Sequence, residues 1–319
     1  MDKFQKDDLL IRVAQLYYQD GFGQGEISKV LGFSRPYISK LITEARANGI
    51  VDIKIRSSLD SETPLERKIR NQFDLRRVFA VPFKFQDSAS ANVGSMGARY
   101  INSIIENDDI IAFGSGNTVM HCVNNLTDRD DLENVTIVQT DGSMISVKHS
   151  THTQEILTVA ADKLNGNPIF FPVPLFVEDV EIKKALMVDR NIQLVANLQK
   201  KARISVFTVS GAGMGRSTSA VQSNYLKATD LDHMILNGMS GHIGGHYFKK
   251  DGSLYDSVLD ERVTSLSLDE LKKKPYRICV ASGRSKYESV YAALCGGYVN
   301  VLIIDNDMAK ALAMMFRTA

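Results

Sequence analysis

The sequence predicts an α/β protein in two parts: a small helix-turn-helix head of winged-helix type, followed by a doubly wound, mostly parallel α/β domain. Two short helical patterns joined by a glycine occupy residues 24–48, which is typical of a helix-turn-helix. From about residue 76, apolar strand-like runs alternate with helical patterns, which indicates a parallel sheet covered on both faces. We therefore place the head at residues 1–57, a linker and connecting helix at 58–75, and the second domain at 76–319.

Composition limits the classes of protein that the chain can represent. Its 319 residues are 44% hydrophobic and 24% charged, which is ordinary for a globular protein. The net charge is +1, so any affinity for nucleic acid must come from a local basic patch. The three cysteines have no paired spacing, which argues for a reducing compartment and against a metal cluster. With no signal-peptide core and no apolar run of membrane-spanning length, we expect a cytoplasmic protein with no membrane partner.

The first helix of the head is predicted at residues 7–18, and Asp20-Gly21 ends it. Its apolar residues recur at helical spacing and are expected to face a core. These residues are Leu9, Leu10, Val13, Leu16 and Tyr17.

The second helix and the turn after it are predicted from residues 24–34. Ile27, Val30 and Leu31 recur at helical spacing and form the expected apolar face. Gly32 then breaks the pattern, because glycine tolerates the positive φ that a turn between crossed helices needs. Ser34 is the expected N-cap of the next helix, with a hydroxyl that can accept from its free amides.

The third helix carries one apolar face and one polar face. The expected buried stripe consists of Ile38, Leu41, Ile42 and Ala45. The opposite face carries Arg35, Tyr37, Ser39, Lys40 and Thr43, which are suited to base edges and phosphates. This pattern predicts a recognition helix that enters the DNA major groove. The predicted DNA-binding residues are Gln24, Ser34, Arg35, Pro36, Tyr37, Ser39, Lys40 and Arg46.

An inert helical hairpin would show the same apolar spacing. The distribution of charge favours DNA binding instead. Residues 26–56 hold six basic and three acidic residues, whereas residues 1–25 hold three basic and four acidic residues. The basic residues are therefore concentrated where a DNA contact is expected.

A short strand and a linker complete the head. Asn48-Gly49 supplies a helix stop, and residues 50–55 alternate apolar and polar side chains, as a half-buried strand does. We expect Lys54 and Arg56 on this wing to contact phosphate. The polar stretch 57–63 is the expected linker. The helix predicted at 64–73 leads into the second domain, or its apolar residues form a small dimer seam.

The second domain is predicted as seven strands with helices between them, and no internal repeat is visible. The predicted strands are 78–81, 109–113, 135–139, 168–173, 204–209, 277–281 and 301–305. The predicted helices are 91–105, 119–126, 153–164, 286–294 and one at the carboxyl terminus. Gly252 is the expected centre of a turn.

Four of these strands end in small, hydroxyl-rich or glycine-rich loops. The loops are 114–118, 140–143, 210–213 and 282–283. Ligands bind beyond the carboxyl ends of strands in open α/β sheets, and glycines let backbone amides approach an anion. Lys286, expected at the start of the following helix, would add a point charge for a phosphate. The pattern predicts a pocket for a small phosphorylated polyol.

Other chemistries are weaker readings of these residues. Gly114-Ser115-Gly116 lacks the third glycine of a dinucleotide fingerprint. Asp141 with His149, His152, His242 and His246 would resemble an acid-base or metal site, but we expect these histidines in polar loops without a fixed carboxylate partner. We therefore expect no catalytic residue and no metal.

Two lysines, Lys148 and Lys286, could also form a Schiff base with a sugar aldehyde. For Lys286, a contact with phosphate is the preferred role.

Extended stretches of the chain resemble a known family. They read LLIRVAQLYYQDGFGQGEISKVLGFSRPYISKLITEARANGIVDIKI, GSGNTV, FFPVPLFV, SGHIGGHYFKKDG and ASGRSKYESVYAALCGGYVNVLIID. Together they are similar to the SorC/DeoR-type bacterial sugar-operon regulators. The resemblance implies an effector domain like the sugar-phosphate isomerase and glucosamine-phosphate deaminase fold, with catalysis replaced by ligand sensing and no cofactor. It also implies a homo-oligomer, usually a tetramer, that binds operator DNA and responds to a phosphorylated sugar or polyol.

The resemblance further implies which residues line the effector pocket. Carried over by position, they are Gly114, Ser115, Gly116, Asn117, Thr118, Asp141, Gly142, Gly211, Gly213, Arg262 and Lys286. Many members have an acidic residue where this chain has His242, and a more glycine-rich pair where it has Ser282-Gly283-Arg284. These departures leave the identity of the sugar open, though not its class. The sequence also does not decide between repressor and activator or between dimer and tetramer. A sugar-phosphate isomerase or deaminase with an accessory DNA-binding head is the alternative function.

Overall fold

The computed structural model describes residues 3–51, 59, 61–82, 88–143, 153–211 and 226–315, with the backbone alone for residues 3–5. The chain forms two compact units, Met1–Ser61 and Glu62–Ala319. Most of the predicted wing strand, with Lys54 and Arg56, lies outside the described residues.

The first unit contains the three predicted helices. They are α1 (Lys3–Ala14), continued by a π-helical turn (Gln15–Gln19), α2 (Gln24–Leu31) and α3 (Arg35–Ala47). The predicted stripe on α3 is buried, and it packs with Leu10, Val13, Leu16 and Ile27. The prediction for Val30 was wrong: its side chain is 59% exposed. A helix of eight residues buries only a narrow stripe, and in α2 Ile27 and the partly buried Leu31 occupy it.

The turn between α2 and α3 is fixed by backbone geometry and by one side chain. Gly32 has a φ of +72°, as predicted, and the Ser28 hydroxyl donates a hydrogen bond to the Phe33 carbonyl at 2.6 Å. Ser34 does occupy the N-cap position of α3, but its side chain makes no capping hydrogen bond. The prediction of the N-cap position was therefore right, and the prediction of a capping hydrogen bond was wrong. Ser34 is exposed, so water can satisfy both its hydroxyl and the first amides of α3.

The second unit is built on a seven-stranded sheet. Its strands are β1 (Arg77–Val81), β2 (Ile110–Phe113), β3 (Val135–Gln139), β4 (Gly166–Ile169), β5 (Ile204–Phe207), β9 (Tyr276–Ala281) and β10 (Val301–Asp305). Neighbouring strands all pair in parallel, in the order β1-β10-β9-β5-β2-β3-β4. All seven were predicted, although β4 and β5 end earlier than expected. From β2, the strand order continues through β3 to β4 at one edge of the sheet. From β5, it continues through β9 and β10 to β1 at the other edge, so the order reverses between β2 and β5.

Helices cover this sheet, as the alternating pattern predicts. They are α4 (Pro64–Gln72), α5 (Ala89–Ile104), α6 (Asn117–Asn124), α7 (Thr153–Lys163), α8 (Val180–Met187), α9 (Arg190–Lys201), α10 (Ala228–Leu236), α11 (Ser257–Glu261), α12 (Leu268–Lys272), α13 (Tyr287–Cys295) and α14 (Asn306–Met315). The helices α8–α12 were not predicted. The helices α11 and α12 have five residues each and α8 buries none of its residues, so the apolar periodicity of these three is weak. Weak periodicity does not explain α9, which buries Ile192 and Val195.

A small antiparallel sheet lies after β5 in the chain and was not predicted. It consists of β6 (Ser210–Gly211), β7 (Met239–Ile243) and β8 (His246–Lys249). The tight turn Gly244–Gly245 joins β7 to β8, and both glycines have positive φ. This arrangement places His242 and His246 on strands and not in the loops expected from the sequence.

The connecting helix α4 belongs to the core of the second unit. Ile69 is fully buried there, and Leu65 and Phe73 pack against the same cluster. The Glu66 carboxylate accepts hydrogen bonds from the Thr63 amide at 2.6 Å and from the Ala80 amide of β1 at 2.8 Å. Leu65 and Phe73 are only half-buried, so the alternative of a small dimer seam at this stripe stays a prediction.

The turn at Gly252 gives a test of backbone packing. Gly252 has a φ of +83°, and a Cβ atom there would collide with the backbone of Gly296. Gly238 also has a positive φ, +92°, but a Cβ there would meet nothing within 4 Å. We expect Gly252→Ala to destabilise the domain by about 2 kcal/mol or more, and Gly238→Ala by about 1 kcal/mol. Urea denaturation measures both free energies of unfolding, and equal losses would contradict the packing argument.

Candidate functional site

The exposed face of α3 is basic. Arg35, Lys40 and Arg46 are exposed, whereas Tyr37 and Ser39 are half-buried. The Tyr37 ring lies 5.3 Å from the Phe33 ring, so part of this side chain supports the turn. The three cations are therefore the most accessible charged groups of the predicted DNA-binding set.

The remaining predicted DNA-binding residues lie at helix starts. Gln24 is the first residue of α2 and is half-buried, while Ser34 and Pro36 are exposed at the start of α3. The first residues of a recognition helix are those that reach base edges in helix-turn-helix proteins. Contacts of these residues with DNA stay a prediction.

In the second unit, the loop after β2 and the residue that follows β5 lie together at the carboxyl edge of the sheet, where the strand order reverses. The prediction of a loop at 210–213 was wrong for Ser210 and Gly211, which form β6. Gly114, Ser115 and Gly116 follow β2, and Thr208 follows β5. Gly116 has a φ of +134°, and a Cβ atom there would lie 2.8 Å from the Thr208 methyl carbon. Glycine is therefore required at Gly116. Such a reversal point is where ligands bind in open α/β sheets.

The helix that starts at this loop begins earlier than predicted. Asn117 and Thr118 form the first turn of α6 and are not part of a loop. Asn117 is exposed, whereas Thr118 is buried and its hydroxyl lies 3.0 Å from the Ser90 hydroxyl. The first amides of a helix favour an anion, which suits this edge to a phosphate.

Lys286 lies at the same edge. It belongs to a 3-10 turn, Arg284–Lys286, that precedes α13, and its Nζ donates a hydrogen bond to the Thr208 hydroxyl at 2.9 Å. Burial lowers the pKa of Lys286. A group in this position is stabilised in its charged form when an anion binds beside it.

Asp141, after β3, is buried and tied to the β2 loop. Its Oδ2 accepts hydrogen bonds from the Ser115 amide at 3.0 Å and from the Ser115 hydroxyl at 3.2 Å. The turn between β7 and β8 lies beside the other oxygen, since a Cβ on Gly244 would lie 2.7 Å from Oδ1. Burial raises the pKa of Asp141. The carboxylate thus organises the β2 loop.

Besides Gly116, two further predicted site glycines are required by close packing. A Cβ atom on Gly142 would collide with the Thr264 hydroxyl and the Leu175 backbone, and one on Gly211 would collide with the Ser289 hydroxyl. Packing alone explains glycine at both positions. Gly213 lies outside the described residues.

Arg262 makes its contacts away from the β2 loop. Its Nε donates a hydrogen bond to the Val177 carbonyl at 2.7 Å, and its Nη2 lies 3.8 Å from a Glu178 carboxylate oxygen. The structure places it at the end of α11, beside the loop that precedes α8. Its role as an effector ligand stays a prediction.

The expectation that the histidines lack a fixed carboxylate partner was wrong for His246. This residue is buried on β8, and its Nδ1 lies 2.6 Å from the Asp260 carboxylate of α11. The sequence contains no sign of this pair, because the two residues are brought together by the return of the chain after β8. His149 and His152 lie outside the described residues, as does Lys148.

The strands β7 and β8 also carry polar atoms that were not predicted to matter. His242 Nδ1, His246 Nε2 and the Tyr247 hydroxyl are buried and have no hydrogen-bond partner among the described residues. The rings of His242 and Tyr247 are 4.9 Å apart. Buried polar atoms normally have partners, so atoms of this kind near a ligand edge are candidates for ligand contacts.

Burial also sets the charge of His242. It lowers the pKa of His242 to about 4, with smaller contributions from Lys286 and His246. His242 is therefore neutral near pH 7 and can both donate and accept a hydrogen bond.

In the described part of the chain, no three His, Cys, Asp or Glu side chains are grouped so as to hold a metal ion. The helices of the same residues are too short or too polar to cross a bilayer.

Comparison with known proteins agrees with this architecture. Residues 58–313 match the family model described as "Putative sugar-binding domain". The chain belongs to the SorC/DeoR-type family of sugar-binding transcriptional regulators.

Relatives match this chain from end to end. The deoxyribonucleoside regulator of Bacillus subtilis is 27% identical over 314 residues, covering 98% of this chain and 99% of the relative. The sorbitol operon regulator of Klebsiella pneumoniae is 24% identical, covering 95% of this chain and 97% of the relative. The crystal structure of full-length SorC from the same organism has a TM-score of 0.76 at 23% identity, covering 98% of this chain and 99% of that chain. This structure confirms the predicted fold class.

Stability should depend on pH through His242. Between pH 6.5 and about 4 the unfolded chain takes up a proton that the folded chain resists, so this contribution to stability is complete above pH 6.5 and is lost as the pH falls towards 4. We expect this titration to lower the free energy of unfolding by on the order of 1–3 kcal/mol as the pH falls towards 4. In His242→Gln this part of the pH dependence should be absent.

Denaturation at pH 7.5 and pH 4.5 measures this difference. His233→Gln is the matched control, because His233 is exposed on α10. A pH dependence that is the same in His242→Gln, His233→Gln and the wild type would contradict the assignment.

Proposed function

We propose that the head binds operator DNA as part of a homo-oligomer and that a phosphorylated sugar or polyol, bound at the carboxyl edge of the large sheet, changes this binding. One observation carries the proposal: the same chain holds both parts that such a regulator needs. The exposed basic helix α3 follows a tight turn, and the half-buried Lys286 lies where the strand order of the parallel sheet reverses. The proposed site of action is the cytoplasm.

The proposed DNA contacts follow from position on α3. Arg35, at the start of the helix, would reach base edges, where a guanidinium can bind guanine with two hydrogen bonds. Lys40 lies further along the exposed face, and Arg46 lies in the last turn. We assign these two cations mainly to phosphate contacts, which position a protein without reading sequence.

The proposed effector site has a phosphate end and a hydroxyl end. The phosphate would lie between the first amides of α6 and Lys286, since both favour an anion. The hydroxyl groups would contact Asp141 and His242 Nδ1, which lacks a partner among the described residues. The names of the two relatives, which refer to deoxyribonucleosides and sorbitol, support a small polyhydroxy ligand.

Regulation would follow from linkage. A ligand changes the affinity for DNA only if it binds two arrangements of the protein with different affinity, and the effect is reciprocal. Either release from the operator by ligand or ligand-dependent activation satisfies this requirement. Titrating DNA affinity against ligand concentration distinguishes them by the sign of the change.

The alternative function, a sugar-phosphate isomerase or deaminase, is not favoured, because the relatives are named as transcriptional regulators. We propose that the domain senses its ligand without turnover. Incubation of the purified protein with phosphosugars, followed by NMR, tests this point. Formation of an isomer or release of ammonia would contradict it.

Removing two cations from α3 should weaken DNA binding. We expect Arg35→Ala with Lys40→Ala to lower affinity for a duplex selected by the wild type roughly 30-fold or more, because a base contact and a phosphate contact are lost. The slope of log affinity against log salt concentration should fall by about 1 for the phosphate contact. Fluorescence anisotropy at several salt concentrations measures both quantities.

The control for charge is Lys249→Ala with Lys250→Ala, which removes two exposed cations from the second unit. This variant should bind the duplex like the wild type. An unchanged affinity in the α3 double variant would refute the assignment of the recognition helix.

Replacing Lys286 should weaken effector binding. A thermal-shift screen with ribose 5-phosphate, deoxyribose 5-phosphate, glucose 6-phosphate, sorbitol 6-phosphate and the free sugars would first identify a ligand by mass action. For that ligand we expect Lys286→Met to lose roughly 10-fold or more in affinity, since a charge-assisted hydrogen bond to phosphate is removed. Affinity for DNA without ligand should be unchanged.

Arg284→Met is the matched control, because it removes an exposed cation from the same turn. A shift by free sugars alone, or full affinity in Lys286→Met, would place the phosphate elsewhere.

A further inference from the structure

An ion pair joins the first helix of the head to the recognition helix. Lys6 Nζ of α1 contacts Glu44 Oε1 of α3, and the two side chains are 44% and 26% exposed. The hydrogen bond to Glu44 raises the pKa of Lys6, so the amine keeps its charge. Because the pair lies at the surface, its contribution to stability is small, and its position on the recognition helix calls for a different explanation.

Glu44 is the single acidic residue of α3, whose other charged residues are Arg35, Lys40 and Arg46. A carboxylate on a helix that approaches DNA faces the negative charge of the phosphates. Juxtaposed like charges weaken association unless a cation neutralises one of them. Lys6 supplies such a cation from outside the recognition helix.

The surroundings of Glu44 place it on the surface that the proposed DNA contact uses. A surface cavity of about 520 Å³ is lined by Lys6, Ser39, Lys40, Thr43, Glu44 and Ala47. The Thr43 hydroxyl donates to the Ser39 carbonyl at 3.1 Å, so the hydroxyl proton is already engaged within the helix. Within this cavity, Glu44 is the negative group, and Lys40 lies one helical turn before it.

We propose that Lys6 is a positioning residue for DNA binding, which neutralises Glu44 and holds its carboxylate against α1 so that Lys40 and the rest of the exposed face of α3 can approach the phosphates. This inference rests on the proposed DNA-binding function. It deepens that function, because it makes a residue outside the helix-turn-helix a determinant of affinity for DNA. In this proposal, Glu44 weakens DNA binding through repulsion of the phosphates, and Lys6 offsets that repulsion.

A direct contact between Lys6 and a phosphate is the competing explanation, and the two differ in a double-mutant cycle. If Lys6 acts through Glu44, then removing the carboxylate makes Lys6 dispensable. If Lys6 contacts phosphate itself, removing the carboxylate frees the amine and leaves the loss in Lys6→Met uncorrected.

The experiment uses the full-length protein and a duplex that the wild type selects from a random library. The variants are Lys6→Met, Glu44→Gln, the two together, and Arg12→Met as the control that removes one exposed cation from the same helix. Fluorescence anisotropy gives the dissociation constants. Thermal melting without DNA reports whether the head itself is altered.

We expect Lys6→Met to bind the duplex roughly 10-fold more weakly than the wild type, because the carboxylate is left unneutralised beside the phosphates. Glu44→Gln, the double variant and Arg12→Met should stay within roughly threefold of the wild type. Recovery of affinity in the double variant, at melting temperatures that differ little, supports the inference, since a purely structural role predicts no such rescue.

Three results would overturn it. A double variant as weak as Lys6→Met would make Lys6 a phosphate contact. Full affinity in Lys6→Met would make the ion pair irrelevant to binding. Failure of the wild type to select any duplex would remove the proposed DNA-binding function itself, and with it this inference.

Discussion

The parallel pairing of β2 with β5 is the constraint on which the second domain depends. Ile111 pairs with Ile204 and Phe113 with Val206, so two strands that are far apart in sequence end at the same edge. The three strands from β2 to β4 then fill one half of the sheet, and β5, β9 and β10 fill the other with β1 at the edge. The loops that leave β2 and β5 must diverge, and the crevice between them is where a ligand can approach the strand ends.

Burial at this crevice disfavours the charged forms of its two ionisable residues, Asp141 and Lys286. Burial raises the pKa of Asp141 and lowers the pKa of Lys286, so each is less stable in its charged form than it would be in water. The amide and hydroxyl donors of Ser115 offset part of this cost for Asp141, and the Thr208 hydroxyl contacts Lys286. A ligand that offers an anion to the lysine and hydroxyl groups to the carboxylate would stabilise both groups. This complementarity supports the proposal that the ligand is a phosphorylated polyol.

The head solves a different problem, because it must bury one side of three short helices and expose the other. Ile27, Leu41 and Leu10 are fully buried, while the cations of α3 remain in solvent. The left-handed Gly32 sets the direction in which α3 leaves the turn, and the Ser28 hydroxyl fixes the chain on its far side. The basic face is thus a product of the core, since the residues that pack inside decide which residues point outwards.

Much of the site was predictable because strands and glycines have local signatures. The loops after β2 and β3 follow apolar runs, so Gly116 and Asp141 could be assigned to a sheet edge from the residue pattern alone. By contrast, no sequence pattern indicates that Lys286 reaches Thr208, that Asp260 reaches His246, or that Lys6 reaches Glu44. These pairs are separated by 78, 14 and 38 residues, and no periodicity encodes them.

The sequence by itself determined the class of fold, the helices of the head and the loops at the sheet edge where we propose that a ligand binds, because periodicity and turn residues are local properties of the chain. Tertiary structure decided which glycines serve packing, which histidine has a carboxylate partner, and where α8–α12 lie. Those features depend on contacts between residues distant along the chain. Gly142 shows the difference: its loop could be read from the sequence, but only the folded domain presses Thr264 and the Leu175 backbone against it.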